Sequence, residues 1–166
     1  MKLSISIALL VAGLVSCGGE GASSTCKSIG PNTNFATVAG GVDKLSALAD
    51  GNLSTFATFT TQTAGSYVGS QGNDFPAGSR AGAFLTRPSN ATAADITIST
   101  SLQQEQVIVE SATGPALTIT PTPGDPAAEY VSFTTTRPFD GIRVTVNTAG
   151  SAENLVFEIC GDATVR

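Results

Sequence analysis

Residues 96–100, Ile-Thr-Ile-Ser-Thr, decide the fold: apolar and hydroxyl side chains alternate, the period of a strand with one buried and one wet face. A helix would scatter the same residues round its circumference. The rhythm recurs on both sides. Toward the C-terminus it returns in residues 106–109 and in Leu117-Thr118-Ile119. It returns again in Val131, Phe133 and Thr135, in Ile142, Val144 and Val146, and in Leu155, Phe157 and Ile159, each set predicted to share one face. Toward the N-terminus it appears in residues 80–86 and 35–38, and in 54–61, where Phe56 and Phe59 alternate with threonines and slip once, as at a bulge. Residues 42–49 place Val42, Leu45, Leu48 and Ala49 at helical spacing and predict a single helical turn. Residues 120–126, Thr-Pro-Thr-Pro-Gly-Asp-Pro, predict a loop, because three prolines cannot donate to a ladder. Phe139 after Pro138 is expected to plug the core, with a bend at Asp140-Gly141. Short strands punctuated by Gly, Pro and Asn predict an all-β domain, an antiparallel β-sandwich over residues 26–166, with no internal repeat and no second domain.

The N-terminus carries different information. Lys2 precedes an apolar run over residues 3–15, broken by Ser4, Ser6 and Gly13. The run is shorter than the roughly 20 residues a membrane span needs, so it predicts a cleaved signal peptide, residues 1–16. Leu14-Val15-Ser16-Cys17 resembles the lipobox of bacterial lipoproteins. The resemblance implies acylation of Cys17 after cleavage before it, and several acyl chains give stable anchoring at about 0.8 kcal/mol per buried methylene. Gly18 is not the aspartate that retains such proteins in the inner membrane, so the resemblance implies the outer membrane of a Gram-negative cell. Residues 17–25 then form a lipidated start and flexible tether, with no apolar side chain larger than alanine between Gly18 and Thr25.

Composition narrows the function classes. The chain has 166 residues, 8 basic against 13 acidic, for a net charge of −5, and the basic residues are scattered. Nucleic acid and anionic lipid surfaces both call for clustered Lys and Arg, so neither is an expected partner. Histidine and tryptophan are absent, and there are two tyrosines, Tyr67 and Tyr130. Without histidine the commonest general base and metal ligand is missing. With Cys17 assigned to lipid, Cys26 and Cys160 remain. In an exported chain such a pair reads as a disulfide closing almost the whole domain, about 4 to 5 kcal/mol at most by loop entropy; two buried thiols are the alternative.

Two further motifs carry a second resemblance. Asp50-Gly51-Asn52-Leu53-Ser54-Thr55 resembles the D-G-N-x-x-T motif of the galactose-binding-like jelly rolls, which include discoidin domains and many carbohydrate-binding modules. Leu155-Val156-Phe157-Glu158-Ile159-Cys160-Gly161, which ends E-I-x-G, resembles their closing strand of the type E-I-x-x-G. The resemblance implies a jelly roll, and a disulfide between first and last strands fits Cys26 and Cys160. It also implies a structural Ca²⁺ held by Asp50, Asn52, Thr55 and Glu158, hard oxygen donors of the kind this ion takes at about 2.3 to 2.6 Å. An ordinary Asp-Gly-Asn turn with Glu158 as an exposed strand residue is the alternative.

No G-x-S-x-G elbow, H-E-x-x-H or Walker loop is present, and Asp74, Asp95, Glu105, Glu110, Glu129 and Asp140 are scattered outside any distinctive motif. The expected role is therefore binding and not catalysis. Tyr67 between Gly65 and Gly69, with Gln71, Asn73 and Asp74 close behind, predicts a loop patch able to stack and hydrogen-bond a glycan; Tyr67, Asn73 and Asp74 are the candidate ligand residues. The reading is a lipid-anchored envelope module that binds a glycan, or alternatively an assembly component with an envelope-protein partner.

Overall fold

The computed structural model describes residues 25–28, 36–38, 42–50, 52, 54–60, 65–86, 95–102, 107–122, 125–147 and 153–164. The signal segment, Cys17 and the tether up to residue 24 lie outside them, as does Glu105. The described chain forms twelve strands: β1 Thr25–Ser28, β2 Ala36–Val38, β3 Val42–Asp43, β4 Ala57–Thr60, β5 Ser66–Phe75 and β6 Arg80–Thr86. The second half adds β7 Ile96–Leu102, β8 Val107–Thr113, β9 Thr118–Thr122, β10 Asp125–Thr134, β11 Phe139–Val146 and β12 Glu153–Thr164. The larger sheet has the order β3-β4-β12-β6-β10-β9, with β1 also paired to β12; the smaller has the order β2-β5-β11-β7-β8. Every pairing among them is antiparallel. The helical turn expected near residue 45 is a 3-10 turn at Leu45–Ala49 that buries Ala47 and Leu48.

Alternation produces the core directly. Ile96 and Ile98 of β7 and Ile142, Val144 and Val146 of β11 point inward from the smaller sheet, while Thr97, Arg143 and Thr145 remain half-exposed on its outer face. Ala81, Ala83 and Leu85 of β6 and Val131 and Phe133 of β10 meet them from the larger sheet. Phe139 fills one end of the core as expected, stacked on Phe75 with ring centroids 4.9 Å apart. The expected bend at Asp140-Gly141 is not an insertion in β11: where the β5–β11 register shifts, Asp140 alone faces Gly72, Asn73 and Asp74, so the extra residues belong to β5.

Three local expectations are corrected. Pro121 lies in β9 and Pro126 in β10, so the proline-rich segment is not wholly loop; β9 is the outermost strand of its sheet, where a missing N–H costs no internal ladder bond. The single face expected for Leu155, Phe157 and Ile159 is interrupted: the register with β6 shifts between Val156 and Glu158, and Val156 and Ile159 both join the core. The bulge resets the two-residue period. Tyr67 lies in β5 and not in a loop, because the glycines around it leave the pairing of Tyr67 with Val38 and Thr145 intact.

The larger sheet also buries part of its outer face. Phe84, Ala128, Tyr130, Cys160 and Ala163 form a second apolar cluster there, with Phe56 packed against it. Gly82 sits between them because no side chain fits: a Cβ would lie 2.4 Å from the Val131 carbonyl oxygen and 2.9 Å from the Tyr130 ring. The Arg80 guanidinium stacks 4.9 Å from the centre of the same ring and donates to the Ser132 hydroxyl at 2.7 Å. Burial pushes the Tyr130 phenol up to about 12.

Candidate functional site

The loop from Asp50 to Thr55 folds on its own polar groups. Asp50 Oδ1 accepts the Asn52 N–H at 2.8 Å, and Asn52 Oδ1 accepts the Ser54 N–H at 2.9 Å. The Thr55 hydroxyl lies 2.6 Å from Asp50 Oδ2 and 2.9 Å from the Asn52 carbonyl oxygen. Three hard oxygens from Asp50, Asn52 and Thr55 therefore converge within about one ligand spacing of each other, a donor set that suits Ca²⁺.

Glu158 is not an exposed strand residue. It is fully buried, opposite Phe84 on the outer face of the larger sheet. Phe56, next after the loop, packs against that same cluster, so the loop and Glu158 belong to one side of the sheet. A carboxylate is almost never fully buried unless it is paired, and Glu158 has a partner within the fold. The oxygens of Asp50, Asn52 and Thr55 are of the kind Ca²⁺ takes, but among the described residues no group of three or more acidic, Cys or His side chains gathers to hold a metal.

The Tyr67 patch is not brought together. Tyr67 and Asn73 occupy the two ends of β5, six residues or about 20 Å apart at the rise of a strand. Asn73 and Asp74 are exposed beside the turn into β6. Gln71 donates from Nε2 to the buried Asp140 at 3.3 Å. One face of the Tyr67 ring is already occupied by the Arg143 guanidinium, whose carbon lies 4.0 Å from the ring centre. Arg143 was legible as an outward residue between Ile142 and Val144, yet its tyrosine partner depends on strand pairing that local pattern does not reveal.

Glu110 was also missed as a structural residue. Its carboxylate accepts the Thr136 N–H at 3.0 Å on both oxygens, the Thr136 hydroxyl at 2.6 Å and the Arg137 N–H at 3.1 Å. It fastens β8 to the turn between β10 and β11. Slight burial raises the carboxyl, but the Thr136 hydroxyl, the two N–H groups and the Arg137 charge outweigh it and hold the group below its ordinary 4.5. A depressed carboxyl stabilises the fold above its unfolded value, and that contribution is lost as pH falls through the folded value. Glu110→Gln is expected to cost about 1 kcal/mol at neutral pH, a figure kept small by solvent screening. Urea unfolding of both proteins across pH should show the difference vanishing once the wild-type carboxyl is protonated. A gap that persists in acid contradicts the clamp.

Cys26 lies in β1, its side chain outside the described residues, and Cys160 is buried in β12. The register sets Lys27 opposite Gly161 and Ser28 opposite Cys160, so the first and last strands are neighbours.

With this geometry in place, the chain can be set beside known proteins. No family model matches it, and no curated protein matches it in sequence. Solved structures do. The chitosan-binding module 1 from a chitosanase/glucanase of Paenibacillus sp. IK-5 superposes with a TM-score of 0.51 at 15% identity, over 81% of this chain and 97% of that one. CpGH89CBM32-4 of Clostridium perfringens, in complex with GlcNAc-α-1,4-galactose, superposes with a TM-score of 0.52 at 12% identity, over 89% of this chain and all of that one (100%).

The fold is the galactose-binding-like β-sandwich. Its jelly-roll layering is the one expected from the loop at Asp50 and the strand ending Glu158-Ile159-Cys160-Gly161. The galactose-binding-like neighbours are glycan-binding modules by their own descriptions.

Proposed function

We propose that the chain is a non-catalytic carbohydrate-binding module displayed at the cell envelope, anchored to the outer membrane through lipid on Cys17. The observation that carries the binding reading is the likeness, over most of the chain, to modules described with chitosan and with GlcNAc-α-1,4-galactose. Fold alone does not assign function, so the site must agree. It does in kind: the outward face of the smaller sheet is lined with hydroxyl groups and carries an arginine, groups suited to sugar hydroxyls and polar substituents. Calcium held by Asp50, Asn52, Thr55 and Glu158 would fix the early loop to the last strand and supply no chemistry.

A Cys26–Cys160 disulfide would close the same two ends covalently, a reading that the β1–β12 register supports. Intact-mass analysis of protein from its native host reads both covalent features. The expected species begins at Cys17, carries acyl groups and lacks the two hydrogens that a disulfide removes; an unprocessed, unlipidated chain contradicts the anchor.

The function is tested on a glycan array with the purified protein, in calcium and after chelation. Reproducible hits that weaken on chelation are expected. A folded protein with no hits, together with one fixed envelope protein recovered by crosslinking intact cells, favours the assembly role.

A further inference from the structure

Among the residues whose burial is described, three large apolar side chains are exposed: Leu102 at 39%, Val107 at 50% and Ile108 at 45%. One such residue would be ordinary, but Leu102 pairs with Val107 and Ser101 with Ile108, so the three form one patch at one end of the β7–β8 hairpin. The strand registers fix which end of the sandwich that is. Ser101 pairs with Gly141, two residues into β11 from Phe139, and Phe139 pairs with Phe75. The Phe75 ring reaches Gly161 of β12, which pairs with Lys27 of β1, and Thr25 pairs with Thr164 just beyond. The patch and the start of β1 therefore share one end. From Cys17 to Thr25 the backbone spans at most about 28 Å when fully extended, so a lipid on Cys17 holds this end of the domain closest to the bilayer.

Charge at that end selects the kind of surface. Lys27 and Arg137 are exposed there, but so are Asp74 and Asp162, and the Glu110 carboxylate lies beside Arg137. With no excess of basic side chains the end does not suit an anionic lipid, whereas a zwitterionic headgroup offers phosphate and amine together. Residues 103–106, Gln-Gln-Glu-Gln, are polar, which opposes driving the hairpin into hydrocarbon and leaves the headgroup interface as the depth that fits. We propose that Leu102, Val107 and Ile108 seat in the interface of a zwitterionic phospholipid membrane and hold the anchored domain upright on it. The proposal rests on the lipid-anchor reading of Cys17; the acyl chains supply the attachment, and the patch sets the orientation.

The test uses the full lipoprotein, purified from its native host and reconstituted into vesicles of phosphatidylethanolamine and phosphatidylcholine. The chain has no tryptophan, so Ile108→Trp reports from the patch alone, and Ala116→Trp, exposed in the turn beyond the far end of β8, is the control. In lipid brominated near the headgroup end of its acyl chains, the reporter at 108 is expected to lose about half its emission, as at an interfacial depth of about 5 to 10 Å, and the one at 116 almost none. Adding Leu102→Gln and Val107→Gln to Ile108→Trp should restore most of the emission; quenching that persists would show the new indole ring seeking the interface by itself and overturns the proposal. Protein that floats with the vesicles but shows no quenching at 108 also overturns it and leaves the anchor standing. Protein that neither floats nor carries acyl mass removes both. Emission at 108 that is shielded from aqueous iodide, indifferent to brominated lipid and more shielded at higher protein density assigns the patch to a second copy of the chain, and overturns the proposal as well.

Discussion

Phe75→Ala is expected to lose about 4 kcal/mol of stability, the range found when a buried phenylalanine is cut to alanine and the cavity does not collapse. Phe75 is 1% exposed, stacked on Phe139, and lies beneath the Lys27 ammonium at 4.7 Å from the ring centre. It also presses on Gly161, where a Cβ would come within 2.2 Å of the ring. Gly161→Ala should therefore cost about 3 kcal/mol by overpacking, since the ring is held by Phe139 and cannot swing away. In the double variant the new methyl enters the space the ring leaves, so the losses should sum to less than the two singles. Denaturant midpoints for the four proteins of the cycle decide it. Strict additivity would show that Phe75 and Gly161 do not share a contact.

Gly82→Ala is the second large effect. The obstruction here is a backbone carbonyl of β10 at 2.4 Å, together with Ser132 Cβ at 2.6 Å, so a rotamer change cannot relieve it. Strands β6 and β10 would have to part, breaking the Ser132–Gly82 register and lifting Tyr130 from the glycine it covers. A loss of about 3 kcal/mol, or roughly 10 °C in Tm for a domain of this size, is expected. Cutting Tyr130 to alanine in the Gly82→Ala background should rescue little, because the carbonyl remains. A melting temperature unchanged by Gly82→Ala would mean that the two strands sit further apart than described.

These two glycines mark where reading the sequence succeeded and where it stopped. Ile96, Ile98, Ile142, Val144 and Val146 declared their faces through a two-residue period, and that was enough to give the layered architecture. The period failed wherever a bulge intervened, as it did between Val156 and Glu158, because one inserted residue exchanges inside for outside. It failed differently at Tyr67, where flanking glycines suggested a loop although β2 and β11 pair on both sides. The Asp50-Gly51-Asn52 turn was legible because its hydrogen bonds are local. The Arg143–Tyr67 stack, the Glu110 clamp on Thr136 and the burial of Glu158 were not, since each joins residues that only the strand order brings together.

The most direct check of the glycan-binding reading is affinity electrophoresis of the purified protein in native gels cast with and without soluble polysaccharide, neutral and uronate-bearing. Retardation by at least one polysaccharide, reversed by its own oligosaccharides, is the expected result. Identical mobility in every gel, from protein that circular dichroism shows to be folded and that is run with calcium in the buffer, would contradict it.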